Sequence, residues 1–288
     1  MSKKLLFNLN EENVQRDNLV AKYKFNSSLY DLIPIFNEGF EYTYEDENSN
    51  TSDIVTRTIY SKELPSLMRF GRAWAEGDDA TNRELSLIEV LDMNTSNIDT
   101  MEGMFQHCNN LTKINCNWVT NKVTTMRDMF RRCYYLTELD TSNFDTSNVR
   151  EMHAMFSSCL SLKTVDVSNF NVDNVTTMNC MFDGCYAITS LDVSSWNTSK
   201  VTDMYSLFRY CRALTSLDLS GWSVSKVTTI NNMFHDCATL QTLNVQSWPL
   251  TSITQTAINS LPVGNDTKNE IYANVAFTVP SGWTIVNI

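Results

Sequence analysis

Along the middle of the chain, apolar and polar positions alternate in a pattern that keeps returning. One unit reads Leu136-Thr-Glu-Leu139-Asp140-Thr-Ser-Asn-Phe144-Asp-Thr-Ser-Asn-Val149-Arg-Glu-Met152-His-Ala-Met155-Phe156-Ser-Ser-Cys159. Its first part alternates apolar and polar residues over a few positions, which predicts a short strand buried on one side. Its second part places Val149, Met152, Met155, Phe156 and Cys159 at offsets 0, 3, 6, 7 and 10, which predicts one buried face of a short helix. Asp, Thr, Ser and Asn fill the space between, and these residue types cap helices and close turns.

The period is close to constant. Cys108, Cys133, Cys159, Cys185, Cys211 and Cys237 are evenly spaced, except that the first step is shorter by a single residue. Trp118, Phe144, Phe170, Trp196, Trp222 and Trp248 recur at one constant step, and Phe105, Phe130, Phe156, Phe182, Phe208 and Phe234 keep the same order. A single unit is too small to cover its own apolar side, whereas stacked copies cover one another. The expected fold class is therefore α/β: a leucine-rich-repeat-type solenoid with a parallel sheet, one strand and one helix per unit. At about 4.8 Å per strand, six units span roughly 30 Å. The expected division is a β-rich region over 1–84, repeats over 85–249 and a cap over 250–288. Within the repeats, 85–101 form a degenerate first unit.

The unit MFxxC–xxLTxLDxSxFxTSxVTxM, present at six consecutive positions over roughly residues 100–249, resembles the BspA-like leucine-rich repeats of bacterial surface proteins. The closing Ile-Asn-Ser-Leu-Pro and Gly-Trp-Thr-Ile are similar to that family's ending. The resemblance implies a non-enzymatic adhesion or recognition protein. The chain departs from the family in lacking the expected export signal: Leu5-Leu6-Phe7 is shorter than the apolar core a signal peptide needs.

Before the repeats, apolar-rich runs at 20–25, 39–44 and 53–60 predict strands. The polar segment 45–52 reads as a long acidic hairpin loop. Two roles remain open for residues 1–84: a cap for the solenoid, or a module docking onto a protein partner. The second would use Tyr23, Phe25, Phe36, Phe40, Tyr42, Tyr44 and Tyr60.

Composition narrows the function. The chain has 288 residues and a net charge of −11, which opposes binding to nucleic acid or to an anionic membrane surface. No apolar run is long enough to insert in a membrane. Eight scattered glycines supply no phosphate-cradling loop, and three histidines, His107, His153 and His235, share no metal or triad spacing. An enzyme is not expected, nor is a cofactor or a metal. The cysteine ladder is expected to be reduced and inward-facing. Arg127, Arg131 and Arg132, and likewise Arg209 and Arg212, read as solvated faces.

One column remains. Asn115, Asp140, Asp166, Asp192, Asp218 and Asn244 occupy one strand position in successive units, facing outward on the concave side. Carboxylates about 5 Å apart repel by about 0.8 kcal/mol per pair in water. Either each is held by its own Asp-x-Ser turn, or the column binds a cation or a basic partner. The function expected from all this is recognition, with a protein or glycan ligand on the solenoid surface. The expected setting is the exterior of an assembly reached without the general secretory route, most simply a bacteriophage virion. A bacterial adhesin fragment and an intracellular scaffold are the alternatives.

Overall fold

The computed structural model describes residues 18–29, 31–48, 53–70, 86–262 and 269–287. The repeats coil into a β-solenoid of about seven turns, mostly β, with a parallel sheet along one side. The rungs of that sheet are short because alternation lasts only a few residues per unit. They are β7 (Lys113–Ile114), β8 (Glu138–Leu139), β9 (Thr164–Val165), β10 (Ser216–Asp218) and β11 (Thr242–Asn244), and the coil at 190–192 adds no strand, so the rungs fall into three separately bonded groups. β8 pairs with β9 and β10 with β11, both parallel and in matching register. A second parallel ladder consists of single bridges, Thr125 to Glu151, Glu151 to Thr177, Thr177 to Asp203 and Asp203 to Thr229.

The third side of each coil is not the helix that the apolar offsets predict. Residues 152–162 form consecutive turns, with the N–H of Met155, Ser157, Cys159 and Leu162 donating to the carbonyls of Met152, Ala154, Phe156 and Cys159. The alternate N–H groups leave the coil. Met152, Ala154, Phe156 and Ser158 donate to the carbonyls of Thr177, Asn179, Met181 and Asp183 at 3.1, 2.9, 2.9 and 2.6 Å. Ala154 and Ser158 reach this arrangement in the left-handed region, with φ of 50° and 60°. A helix would spend its N–H groups internally and leave neighbouring coils without backbone bonds. Tight turns also return every third or fourth residue to one side, so the offsets alone do not separate the two.

The core is a set of stacked columns. Phe105, Phe130, Phe156 and Phe182 stack with ring centroids 5.6 Å apart at each step, nearly parallel, and Phe208 and Phe234 continue the column. Phe70, from the amino-terminal region, stacks beneath Phe105 at 5.5 Å, and its N–H donates to the Met104 carbonyl. Trp118, Phe144, Phe170, Trp196 and Trp222 form a second buried column, as expected. The Trp196 and Trp222 indole N–H groups donate to Val167 and Val193 carbonyls one coil back. Each thiol of Cys133, Cys159, Cys185, Cys211 and Cys237 donates to a phenylalanine carbonyl of the preceding coil at 3.0–3.3 Å. None of the eight cysteines forms a disulfide.

The strands that precede the repeats merge into this stack. β1 (Asn18–Asn26) lies between β4 (Ile54–Ser61) and β6 (Leu87–Met93), antiparallel to both, and β6 also pairs parallel with β7. β3 (Thr43–Asn48) pairs with β4, so half of the segment expected as an acidic loop is strand. One sheet in the order β3-β4-β1-β6-β7 thus runs from the amino-terminal strands into the first rungs. Residues 49–52, 1–17 and 71–85 lie outside the described residues, which leaves that much of the 1–84 reading without a structural counterpart. Buried Arg57 anchors the hairpin, bonding Asp46 through two nitrogens at 2.7 and 2.6 Å and pairing with Asp31 at 2.8 Å. β2 (Ile35–Phe36) and β5 (Met68–Arg69) form a separate two-stranded ribbon.

The segment after 249 breaks the sequence period and keeps the sheet. α1 (Ser252–Asn259) starts with a Thr251 capping box and takes the place of a turn ladder. β12 (Asn269–Tyr272) and β13 (Trp283–Val286) then add two more parallel rungs to β11.

Candidate functional site

The outward column lies where the strand alternation places it. Asn115, Asp140, Asp166, Asp192 and Asp218 lie on the outer side of the strand face, and Asn244 is half-buried. From Asp140 to Asn244, an oxygen of each side chain is engaged by the following turn. The N–H of Ser142, Ser168, Ser194 and Ser220 donates to Oδ1 of Asp140, Asp166, Asp192 and Asp218 at 3.0, 3.0, 3.2 and 2.9 Å. The Ser168 and Ser194 hydroxyls add bonds of 2.6 and 2.7 Å, and Gln246 N–H serves Asn244 at 3.2 Å. These bonds from Ser142 and Ser168 hold the Asp140 and Asp166 carboxyls below the usual carboxylate range. The local turn thus accounts for an acid at this position in each of these coils. Among the described residues no group of three or more His, Cys, Asp or Glu is placed to hold a metal ion. Asn115, Asp140 and Asp166 border a shallow depression of about 380 Å³ with Lys113, Glu138 and Thr164.

A second set of groups gathers on the turn side. Asp128, fully buried, accepts from Arg127 at 3.4 Å and Arg131 at 3.2 Å, with His153 Nε2 at 4.0 Å. His153 Nδ1 lies 2.7 Å from Asn179 Oδ1. Farther along, the rings of Tyr186, Tyr210 and His235 follow edge to face at 6.3 and 5.6 Å. Arg212 lies over Tyr186 and Tyr210 and pairs with Asp236 at 2.5 Å. Arg209 covers Tyr210 at 4.4 Å. The arginines at 127, 131, 209 and 212 are therefore engaged with carboxylates or rings, not only with solvent as the sequence suggests. The sequence carries these residue types at several neighbouring offsets of the repeat, but a helical reading of the segment scatters them around an axis. The turn ladder puts them side by side.

In the amino-terminal region, Tyr23 and Phe25 are buried in the core and unavailable to a partner. Phe40, Tyr42 and Tyr60 instead line an open depression of about 830 Å³ with Asn37 and Lys62, and Tyr42 and Tyr44 are exposed.

No curated protein and no solved structure matches the chain. The family described as "Mycoplasma protein of unknown function, DUF285" matches it twice, over residues 80–190 and 159–261. These overlapping stretches cover the coils, and the repeated solenoid is consistent with the BspA-like resemblance of the sequence. Since they extend over more than half of the 288 residues, the chain belongs to this family of repeat proteins.

Proposed function

We propose that the chain is a non-enzymatic recognition protein. Its solenoid would present a repeated surface to a protein or glycan ligand while its amino-terminal region holds it on the exterior of a particle or cell. The observation that carries this reading is the register of the exposed columns. Backbone bonds between coils on the turn side set the spacing of the coils that carry Asp140, Asp166, Asp192 and Asp218, so a partner meets a preorganised array. Support for docking through residues 1–84 comes from exposed Tyr42 and Tyr44 beside the depression lined by Phe40 and Tyr60. β1 and β6 also join the solenoid sheet, so docking and covering the first coil are compatible roles for this region.

The test uses the full chain, fluorescently labelled, on intact cells and on purified particles from the same source, a bacteriophage virion included. Binding should be saturable, and the charge reversal Asp166→Lys with Asp192→Lys, which also removes the acceptors of the Ser168 and Ser194 turns, should weaken it at a temperature where both proteins remain folded. Equal binding by the wild type and this double variant would remove the strand face from the recognition surface. Antibody labelling of the particle exterior tests the display itself.

A further inference from the structure

The turn ladder ends abruptly at α1, and its end is a pocket. In the interior coils, alternate N–H groups reach the next coil: Ser206 donates to the Asn231 carbonyl at 2.9 Å and Tyr210 to the His235 carbonyl at 2.8 Å. One coil later the same positions are Asn232 and Asp236, both left-handed at φ of 59° and 61°. The next coil is missing there, replaced by α1. Only the middle donor is served, Phe234 N–H bonding Ser260 Oγ at 3.0 Å. The N–H groups of Asn232 and Asp236 have no acceptor among the described residues. They flank a pocket of about 540 Å³ whose walls include Asn231, His235, Asp236, Asn259, Leu261 and Pro262.

The side chains there are also in surplus. Asn231, Asn232 and His235 make no side-chain hydrogen bond to another described residue. Asp236 binds Arg212 through Oδ2 alone, and Oδ1 makes no hydrogen bond to another described residue. The pocket thus offers amide donors and acceptors, a carboxylate oxygen, an imidazole and two main-chain donors in one place. It is too polar for an apolar ligand, and Asp236 on its wall disfavours an anion. His235 on its lining is the last member of the row Tyr186–Tyr210–His235, and Leu261 and Pro262 add apolar surface to the lining.

We propose that this pocket binds a neutral saccharide carrying an acetamido group. The acetamido carbonyl accepts from one of the free N–H groups, Asn232 or Asp236, and a hydroxyl oxygen from the other, since the Phe234 donor bonded to Ser260 lies between them; the methyl rests on Leu261 and Pro262, the remaining hydroxyls engage Asn231, Asn259 and Asp236, and a ring face lies against His235. This deepens the recognition reading above and rests on it, while assigning the ligand to the end of the turn ladder and not to the strand face.

The experiment is a titration of the ¹⁵N-labelled full chain with N-acetylglucosamine and its β1,4-linked trimer, with glucose and inorganic phosphate as comparisons. The amide resonances of Asn232 and Asp236 should move with the acetamido sugars, and glucose should bind more weakly. Asn231→Ala should weaken binding by about tenfold, the size of one lost hydrogen bond, and His235→Ala, which removes the ring contact, by up to about the same factor. Asn231→Ala should leave the melting temperature unchanged, and His235→Ala, which loses its edge-to-face contact with Tyr210, is compared at a temperature where both proteins are folded. No movement at about 10 mM sugar, where millimolar affinity is visible, overturns the assignment. Movement with phosphate alone overturns it as well. If His235→Ala binds cells or particles as the wild type does while Asp166→Lys with Asp192→Lys does not, the pocket assignment fails and the recognition reading stands.

Discussion

Replacing Gly184 by alanine distinguishes the turn ladder from a helix by the sign of its effect. Gly184 sits at the position of Ser158 and Arg132 one and two coils earlier, and its φ of 75° is left-handed. An added Cβ would lie 3.4 Å from Ser158 Cα and Oγ, so contact is close but not prohibitive. The backbone conformation decides the outcome. Holding a non-glycine residue in the left-handed region costs about 1–2 kcal/mol. Reduced freedom of the unfolded chain returns about 0.4–1 kcal/mol. Gly184→Ala should therefore destabilise the protein by about 1 kcal/mol, whereas in a helix it would stabilise by about 0.8–1 kcal/mol. The converse change is Arg132→Gly. Arg132 has a φ of 64°, is exposed, and makes no side-chain hydrogen bond or ion pair to another described residue. Removing its side chain should be neutral or stabilising by up to about 1 kcal/mol, against a loss near 1 kcal/mol in a helix. Urea denaturation, read as a midpoint shift at constant slope, measures both. A Gly184→Ala protein more stable than the wild type would refute the turn ladder.

Three further outcomes are expected. In a double-mutant cycle, Phe156→Leu and Phe182→Leu, whose rings stack 5.6 Å apart, should couple by about 0.5–1.5 kcal/mol. Phe130→Leu and Phe182→Leu, with the Phe156 ring between them, should add within about 0.5 kcal/mol, and equal coupling in both cycles would contradict nearest-neighbour stacking. Burial pushes the Cys159 thiol up to about 12, so at pH 8 only about one molecule in ten thousand is thiolate there. A disulfide reagent should label all eight thiols in denaturant and leave Cys159 unlabelled in the folded protein; rapid native labelling of Cys159 would be incompatible with this packing. Hydrogen bonds from Ser168 depress the folded Asp166 carboxyl below its ordinary value of 3.8. Its ionised form therefore favours the fold above that value, and the contribution disappears as pH falls through the folded one. The stability gap between wild type and Asp166→Asn should be larger at pH 7 than at pH 2, and a gap independent of pH would exclude a role for the carboxylate charge.

The sequence by itself determined the stack. A constant period with apolar residues locked to it leaves each unit dependent on its neighbours, so a solenoid with parallel rungs and columns of Phe, Trp and Cys follows from burial alone. The Asp-x-Ser turns were legible for a similar reason: the groups that hold each Asp are its near neighbours in the chain. Tertiary structure decided the rest. Whether residues 152–159 form a helix or a turn ladder depends on where alternate N–H groups find acceptors, and those acceptors lie a full repeat ahead in the chain. Phe70 as the first member of the phenylalanine column, and β1 and β4 as extensions of the solenoid sheet, carry no mark of the repeat and depend on contacts with the first coils. The pocket beside α1 arises because a helix took the place of a coil. That the N–H groups of Asn232 and Asp236 find no acceptor among the described residues is a consequence of what stacks on them, which local pattern does not encode.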